Sequence, residues 1–215
     1  LNNNRIVYLI QACYYKTMPK LVDHQKRKIQ IAEATWKVIV EEGIEQATVR
    51  KIAETVGLSV GAIRHYFATQ SELLRFSMDL VSDRVLQRIK TRKLVEESNF
   101  LDFVTEGLFE VLPIDEERRI EMEVWLAFSA KVLVDNTLRE RSNAVYLDMH
   151  EGMMKAIDLL QEAKLTKDNL DLELEANRLH ALVDGMATHH LLNPEQFTRE
   201  NMIDTLKYHL KSLCK

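Results

Sequence analysis

The chain has 215 residues, 46% hydrophobic and 29% charged, with a formal net charge of −4, a composition that excludes an intrinsically disordered protein. Six Gly and three Pro are too few for an all-β sandwich or barrel, which needs a turn every 8–12 residues or so. The two cysteines, Cys13 and Cys214, stand near opposite ends; they exclude a disulfide framework and a CxxC zinc knuckle, and no apolar run approaches the ~20 residues of a membrane span. The expectation is an all-α protein of the reducing cytoplasm.

Residues 1–17 carry no coherent pattern and are expected to be a non-native or unstructured extension, with Met18 as the natural start. From Asp23 to Glu42 apolar residues recur at helical spacing, and Gly43 stops the run. Thr48 is placed to cap a short second helix ending at Gly57, and Ser59 a third through Tyr66. Thr69-Gln70-Ser71-Glu72 reads as a capping box opening a long fourth helix to about Lys93. Further helices are expected from Asn99 to Leu112, after Asp115, from Asp135 to Lys164, from Leu170 to Leu192 and from Thr198 to Leu213. No Ser/Gly linker separates these segments, so the domains should share a helix rather than a tether.

Charge is divided unevenly. Residues 20–75 hold nine Lys/Arg against seven Asp/Glu, whereas residues 76–215 hold 18 against 26. That asymmetry suits a nucleic-acid-binding segment beside a domain with another task. The stretch Thr48–Phe67, TVRKIAETVGLSVGAIRHYF, places two short helices around a tight turn. Ala53 is small enough for a helix crossing, Gly57 can adopt positive φ, and Ile52, Leu58 and Ile63 supply apolar contacts. The second helix is left with Ser59, Gly61, Arg64 and His65 on its other face. Arginine there can reach guanine O6/N7 or a phosphate.

From Ile31 through Leu74, with Gly43, Thr48, Ile52-Ala53, Gly57-Leu58-Ser59, Gly61, Tyr66-Phe67 and Glu72-Leu73-Leu74 in unbroken order, the chain resembles the TetR family of bacterial transcriptional regulators. Met18-Pro19-Lys20-Leu21, Trp125-Leu126-Ala127-Phe128 and Leu182-Val183-Asp184-Gly185 are similar to its BetI-like branch. The resemblance implies an all-α fold in which residues 18–75 form a helix-turn-helix DNA-binding domain. This domain is joined through a long helix to a ligand-binding and dimerisation domain, residues 76–215. It further implies DNA contacts at Thr48, Val49, Arg50, Ser59, Val60, Gly61, Arg64, His65 and Tyr66. The family usually has Lys where this chain has Gln70, so that phosphate contact should be weaker; Lys26 and Lys28 are placed to compensate.

The body carries no GxSxG, Gly-rich phosphate loop or HExxH, so no catalytic residue is expected. His189 and His190 project about 100° apart on a helix, which argues against a shared metal, and no cofactor is expected. Candidate effector contacts are Phe103, Met122, Trp125, Phe128, Tyr146, Met149 and Met153, each of which also reads as plain core. The effector is left open; the branch resemblance implies choline or a related quaternary amine as a candidate. Leu179, Val183, Met186 and His190, with Met202, Leu206 and Leu210, fall on one face of each of the last two helices. They are expected to pair across a homodimer. The expected partners are therefore a double-stranded palindromic operator, a small-molecule effector and a second subunit, with no membrane. The alternative is an all-helical interaction module or enzyme with a vestigial helix-turn-helix.

Overall fold

The computed structural model describes residues 19–92 and 100–215, with side chains from His24 onward. The expectations for residues 1–17, Met18 and Cys13 lie outside the described residues. Nine α-helices make up this part of the chain: α1 Pro19–Glu42, α2 Val49–Val56, α3 Val60–Tyr66, α4 Gln70–Thr91, α5 Phe100–Leu108, α6 Glu116–Val132, α7 Arg139–Glu162, α8 Leu172–Leu192 and α9 Arg199–Leu213. Among the described residues there is no β-strand.

Most boundaries follow from side-chain chemistry. Thr48, Ser59, Asp115, Asp171 and Thr198 each accept a hydrogen bond from a backbone N–H of the first turn they cap. At α4 the box is offset by one residue: the Thr69 hydroxyl accepts from Glu72 N, but the Glu72 carboxylate accepts from Ala68 N, before the cap. Gly57 closes α2 at φ 71°, and its N–H meets the carbonyls of Ala53 and Glu54, a left-handed end that a Cβ would strain. Asp135 caps a short 3-10 turn, Asn136–Leu138, rather than α7 itself, which begins at Arg139. Likewise the segment before Pro113 is α5 followed by a 3-10 turn, Phe109–Val111.

Two apolar clusters hold the helices together. The first joins Ile31, Trp36 and Val38 of α1 to Ile52, Ile63, Phe67, Leu73 and Met78, and continues into Val124 and Phe128 of α6 and Val145 of α7. The packing thus runs across residue 75, because α4 serves both the helix-turn-helix and the body. Trp36 Nε1 donates to the Ser77 carbonyl at 3.1 Å, tying α1 to α4. The second cluster unites α5, α7, α8 and α9, with Leu179, Val183, Met202, Leu206 and Leu210 at 0% exposure and Met186 at 3%.

This burial bears on the residues expected at a dimer surface. The aligned apolar faces of α8 and α9 pack within one chain, since α5 and α7 lie over them; a side chain with no exposed area cannot touch a second subunit. His190 is half-buried, and its Nδ1 lies 2.9 Å from the Phe197 carbonyl, so it too is engaged internally.

The far end of α4 is tied to the body by charge. Arg88 binds Glu110 at 2.8 Å and Glu121 at 2.6 and 3.0 Å, and Arg118 binds Glu110 at 2.5 Å. Both carboxylates are buried, and the two guanidinium groups are what makes that burial tolerable.

Candidate nucleic-acid interface and a cavity in the body

α2 and α3 are amphipathic because each must cover the first cluster with one face and leave the other in water. Ile52, Ala53 and Ile63 are buried, whereas Arg50, Ser59, Val60, Gly61, Arg64 and His65 are exposed. A Cβ on Gly61 would meet only Ser59 Oγ, at 3.9 Å, so the helix surface there is open for close approach. The Ser59 hydroxyl accepts from Ala62 N at 3.1 Å and keeps its own proton for donation outward. Thr48 is exposed but its oxygen accepts from Lys51 N, and Val49 is half-buried against the first cluster.

The remaining candidates divide. Tyr66 is half-buried, with its ring 4.8 Å from that of His24 and 5.5 Å from that of His65. Sequence reasoning missed His24, which α1 delivers to this face across more than 40 positions; no local spacing encodes such a contact. Lys26 is exposed. Lys28 is half-buried instead, its ammonium lying 5.1 Å from the Phe67 ring centre and 5.4 Å from that of Phe76. Its ammonium is therefore engaged in a cation–π contact within the chain. Gln70 is also engaged: its Nε2 donates to the Ala47 carbonyl at 2.8 Å, fixing the start of α4 to the residue before Thr48.

In the body, a cavity of about 100 Å³ opens between α4, α6, α7 and α8. Four of the seven effector candidates line it: Trp125, Phe128, Tyr146 and Met149. The other three stand elsewhere. Met153 is buried in the second cluster, Met122 packs against that cluster, and Phe103 carries the Arg92 guanidinium over its ring at 5.5 Å. Sequence reasoning overlooked Met78, Ser129, Ser142, His180 and Asp184 on the same wall. The last two had a legible signal, an ionisable pair at i, i+4 on a largely buried helix. A larger groove, about 430 Å³, lies along α1 and α4. Much of its charge is already paired, Arg84 with Glu33, Arg88 with Glu110 and Glu121, and Asp79 with Arg141.

His180 Nε2 lies 3.7 Å from Asp184 Oδ2, and the Tyr146 ring stands 4.9 Å from that of His180 and nearly parallel to that of His150. Burial pushes His180 below the ordinary histidine range, against the pull of Asp184, and the same burial pushes the Asp184 carboxyl upward. A half-buried acid among aromatic side chains can hold a positive charge.

Comparison with known proteins agrees with this architecture. Residues 31–75 match the model described as bacterial regulatory proteins, tetR family, and residues 104–215 match the BetI-type transcriptional repressor C-terminal model. The chain is also 44% identical over 200 residues to the HTH-type transcriptional regulator PksA of Bacillus subtilis (strain 168), covering 92% of this chain and 94% of that protein. The chain belongs to the TetR family of transcriptional regulators. BetI of Proteus mirabilis (strain HI4320) is 28% identical, covering 84% of this chain and 88% of its own. Among solved structures, a transcriptional regulator from Rhodococcus sp. Rha1 is 25% identical with a TM-score of 0.74, covering 86% of this chain and 95% of its own. A putative transcriptional regulator from Saccharomonospora viridis, solved in complex with choline, shares the fold at 21% identity and a TM-score of 0.74, covering 87% and 96%. This TetR-family regulator is not an enzyme, and no helix among its described residues is long and apolar enough to cross a membrane.

Proposed function

We propose that this TetR-family regulator is a cytoplasmic homodimeric repressor that reads a palindromic operator with its two α3 helices and is released by a small molecule bound in the Trp125 cavity. The exposed face of α3 carries the DNA-binding half of the reading. Arg64 and His65 project from it, Gly61 leaves room beside them, and Ser59 keeps a free hydroxyl proton. Arg50 and Lys26 add exposed charge on the neighbouring helices. Two such faces fit half-sites about one helical turn, ~34–36 Å, apart. A dimer seated across a promoter excludes polymerase, hence repression.

Met78 carries the coupling half. It belongs to α4, the helix that bears the helix-turn-helix, yet it forms part of the cavity wall beside Trp125. A ligand that needs more room than the cavity offers must displace α4, which changes the separation of the two heads. A coupling of ~1–3 kcal/mol changes operator affinity about 5–150-fold. The Asp184 carboxylate and the faces of Trp125, Phe128 and Tyr146 suit a small organic cation, the charge type that choline brings to the Saccharomonospora viridis protein. The test is a gel shift on DNA upstream of the protein's own gene, over a salt series, with and without choline. Salt-sensitive specific binding reversed by choline supports the whole reading. Binding to all DNA alike defeats the operator assignment, and specific binding indifferent to choline and its analogues defeats the cation.

A further inference from the structure

Two imidazoles and a phenol meet where α1 reaches the end of α3. The His24 ring lies 4.8 Å from that of Tyr66 and 6.2 Å from that of His65, and the rings of His65 and Tyr66 are 5.5 Å apart. Tyr66 is half-buried, but both histidines are exposed. A pair of rings that only pinned α1 to α3 would be covered by those helices; these two are open to water.

The charged groups around them are cations. Arg27 and Lys28 follow His24 by one turn of α1, and Arg64 precedes His65 on α3. Lys28 is held over Phe67 and Phe76. Among the residues whose side chains are described, no carboxylate lies within ion-pair distance of either ring; the histidines that have one, His150 and His180, belong to the body. No internal acid therefore competes with an anion arriving from outside.

An imidazole donates one N–H when neutral and two when protonated, and its charge changes near neutral pH. Charge-assisted N–H···O bonds are about 2.7–2.9 Å long, so two rings centred 6.2 Å apart can both donate to one phosphate. A phosphate set between two imidazoles favours the protonated form of both.

We propose that His24 joins His65 and Tyr66 in holding an operator phosphate, and that the two imidazoles take up protons as that phosphate arrives, so that operator affinity falls as pH rises. The proposal rests on α3 being the DNA-reading helix. It adds a contact from α1 and a proton linkage, whose sign follows from the complex binding more protons than the free protein does. Stability runs the other way, because the buried His209 weakens the fold toward acid pH; a loosened fold cannot produce tighter binding there.

The test is an anisotropy titration of the full chain with a duplex that the protein itself selects from a random-sequence pool, at fixed salt and three pH values. His24→Gln and His65→Gln keep a polar side chain and remove the titrating ring. His189→Gln does the same at an exposed site in the last turn of α8, away from the cluster. The wild type should lose at least about tenfold in affinity between about pH 6 and about pH 8. Each single cluster variant should show a shallower fall, the double variant a fall of less than about twofold, and His189→Gln the full fall of the wild type. A His24→Gln profile as steep as that of the wild type overturns the role of His24, and a double variant that keeps the full fall overturns the cluster as its source. Thermal melts at each pH accompany the titrations: a His24→Gln chain that melts well below the wild type marks the rings as a joint between helices and overturns the proposal. A selected duplex bound equally at every pH overturns the proposal alone. A chain that selects no sequence and binds duplex DNA at no pH overturns the reading of α3 as well.

Discussion

Arg64 gives the most direct test at the level of one side chain. It is exposed on α3 and no part of the core depends on it. Arg64→Ala should keep the thermal melt of the wild type and weaken operator binding by ~1–3 kcal/mol if the guanidinium reads a base. The anisotropy titration should be repeated on operators altered one base pair at a time: relaxed preference at one position per half-site marks base readout, and uniform weakening marks a phosphate. His209 supplies a pH test. It is buried, its Nε2 has no hydrogen-bond partner among the described residues, and burial together with Arg178 holds its pKa below the ordinary value despite Glu175. The unfolded chain therefore binds a proton that the folded chain refuses, so this group favours folding above about pH 6.5 and that contribution is lost as pH falls through and below it. Urea midpoints should drop between neutral and mildly acid pH, and His209→Gln should flatten the slope. A His209→Gln profile as steep as the wild type would place the proton uptake elsewhere.

At the level of an element, α4 is held at both ends, by Gln70 on Ala47 and by Arg88 on Glu110 and Glu121. The two anchors differ in kind. Gln70 makes one neutral hydrogen bond at an exposed site, worth about 0.5–1.5 kcal/mol. Arg88 neutralises carboxylates that are buried, and removing it leaves charge without a partner. Arg88→Met should cost roughly 3–5 kcal/mol in chemical denaturation, and Glu121→Gln added to it should recover part of that loss, since one fewer buried charge is then stranded. A loss below about 1 kcal/mol, the range of exposed pairs, would mean that water reaches the knot. The end of α2 offers a smaller comparison: Gly57→Ala forces a Cβ into a left-handed turn at φ 71°, for a cost of about 1–2 kcal/mol.

For the molecule as a whole, the question is whether the cavity and the heads communicate through α4. Trp125 is half-buried and lines the cavity, while also packing on the first cluster. Trp125→Phe keeps most of the volume, so the fold and operator affinity should survive, while release by choline should require at least about tenfold more ligand as the strongest cation–π face is lost. Trp125→Ala removes core contacts as well and should cost roughly 3–5 kcal/mol, so a loss of both activities in that variant alone says nothing about the ligand. An unchanged choline response in folded Trp125→Phe would move the effector away from this wall.

Helix existence, the positions of the caps and the helix-turn-helix were legible in the sequence because they depend on near neighbours. Threonine, serine or aspartate before an apolar period, and glycine at a left-handed turn, act within a few residues of themselves. The same locality makes the apolar faces of α8 and α9 visible as faces while saying nothing of what covers them. Periodicity records that Leu179, Val183 and Leu206 avoid water; only the tertiary packing decides that α5 and α7 of the same chain, rather than a second subunit, exclude it. The cavity divides in the same way. Aromatic residues on the middle helices could be named from the sequence, but which of them face a space together depends on rotations of α4, α6, α7 and α8 about one another, set by long-range contacts. The commitments of Lys28 to Phe67 and Phe76, and of Gln70 to Ala47, were likewise closed to sequence reasoning, because a flexible polar side chain takes whichever partner the fold brings within reach.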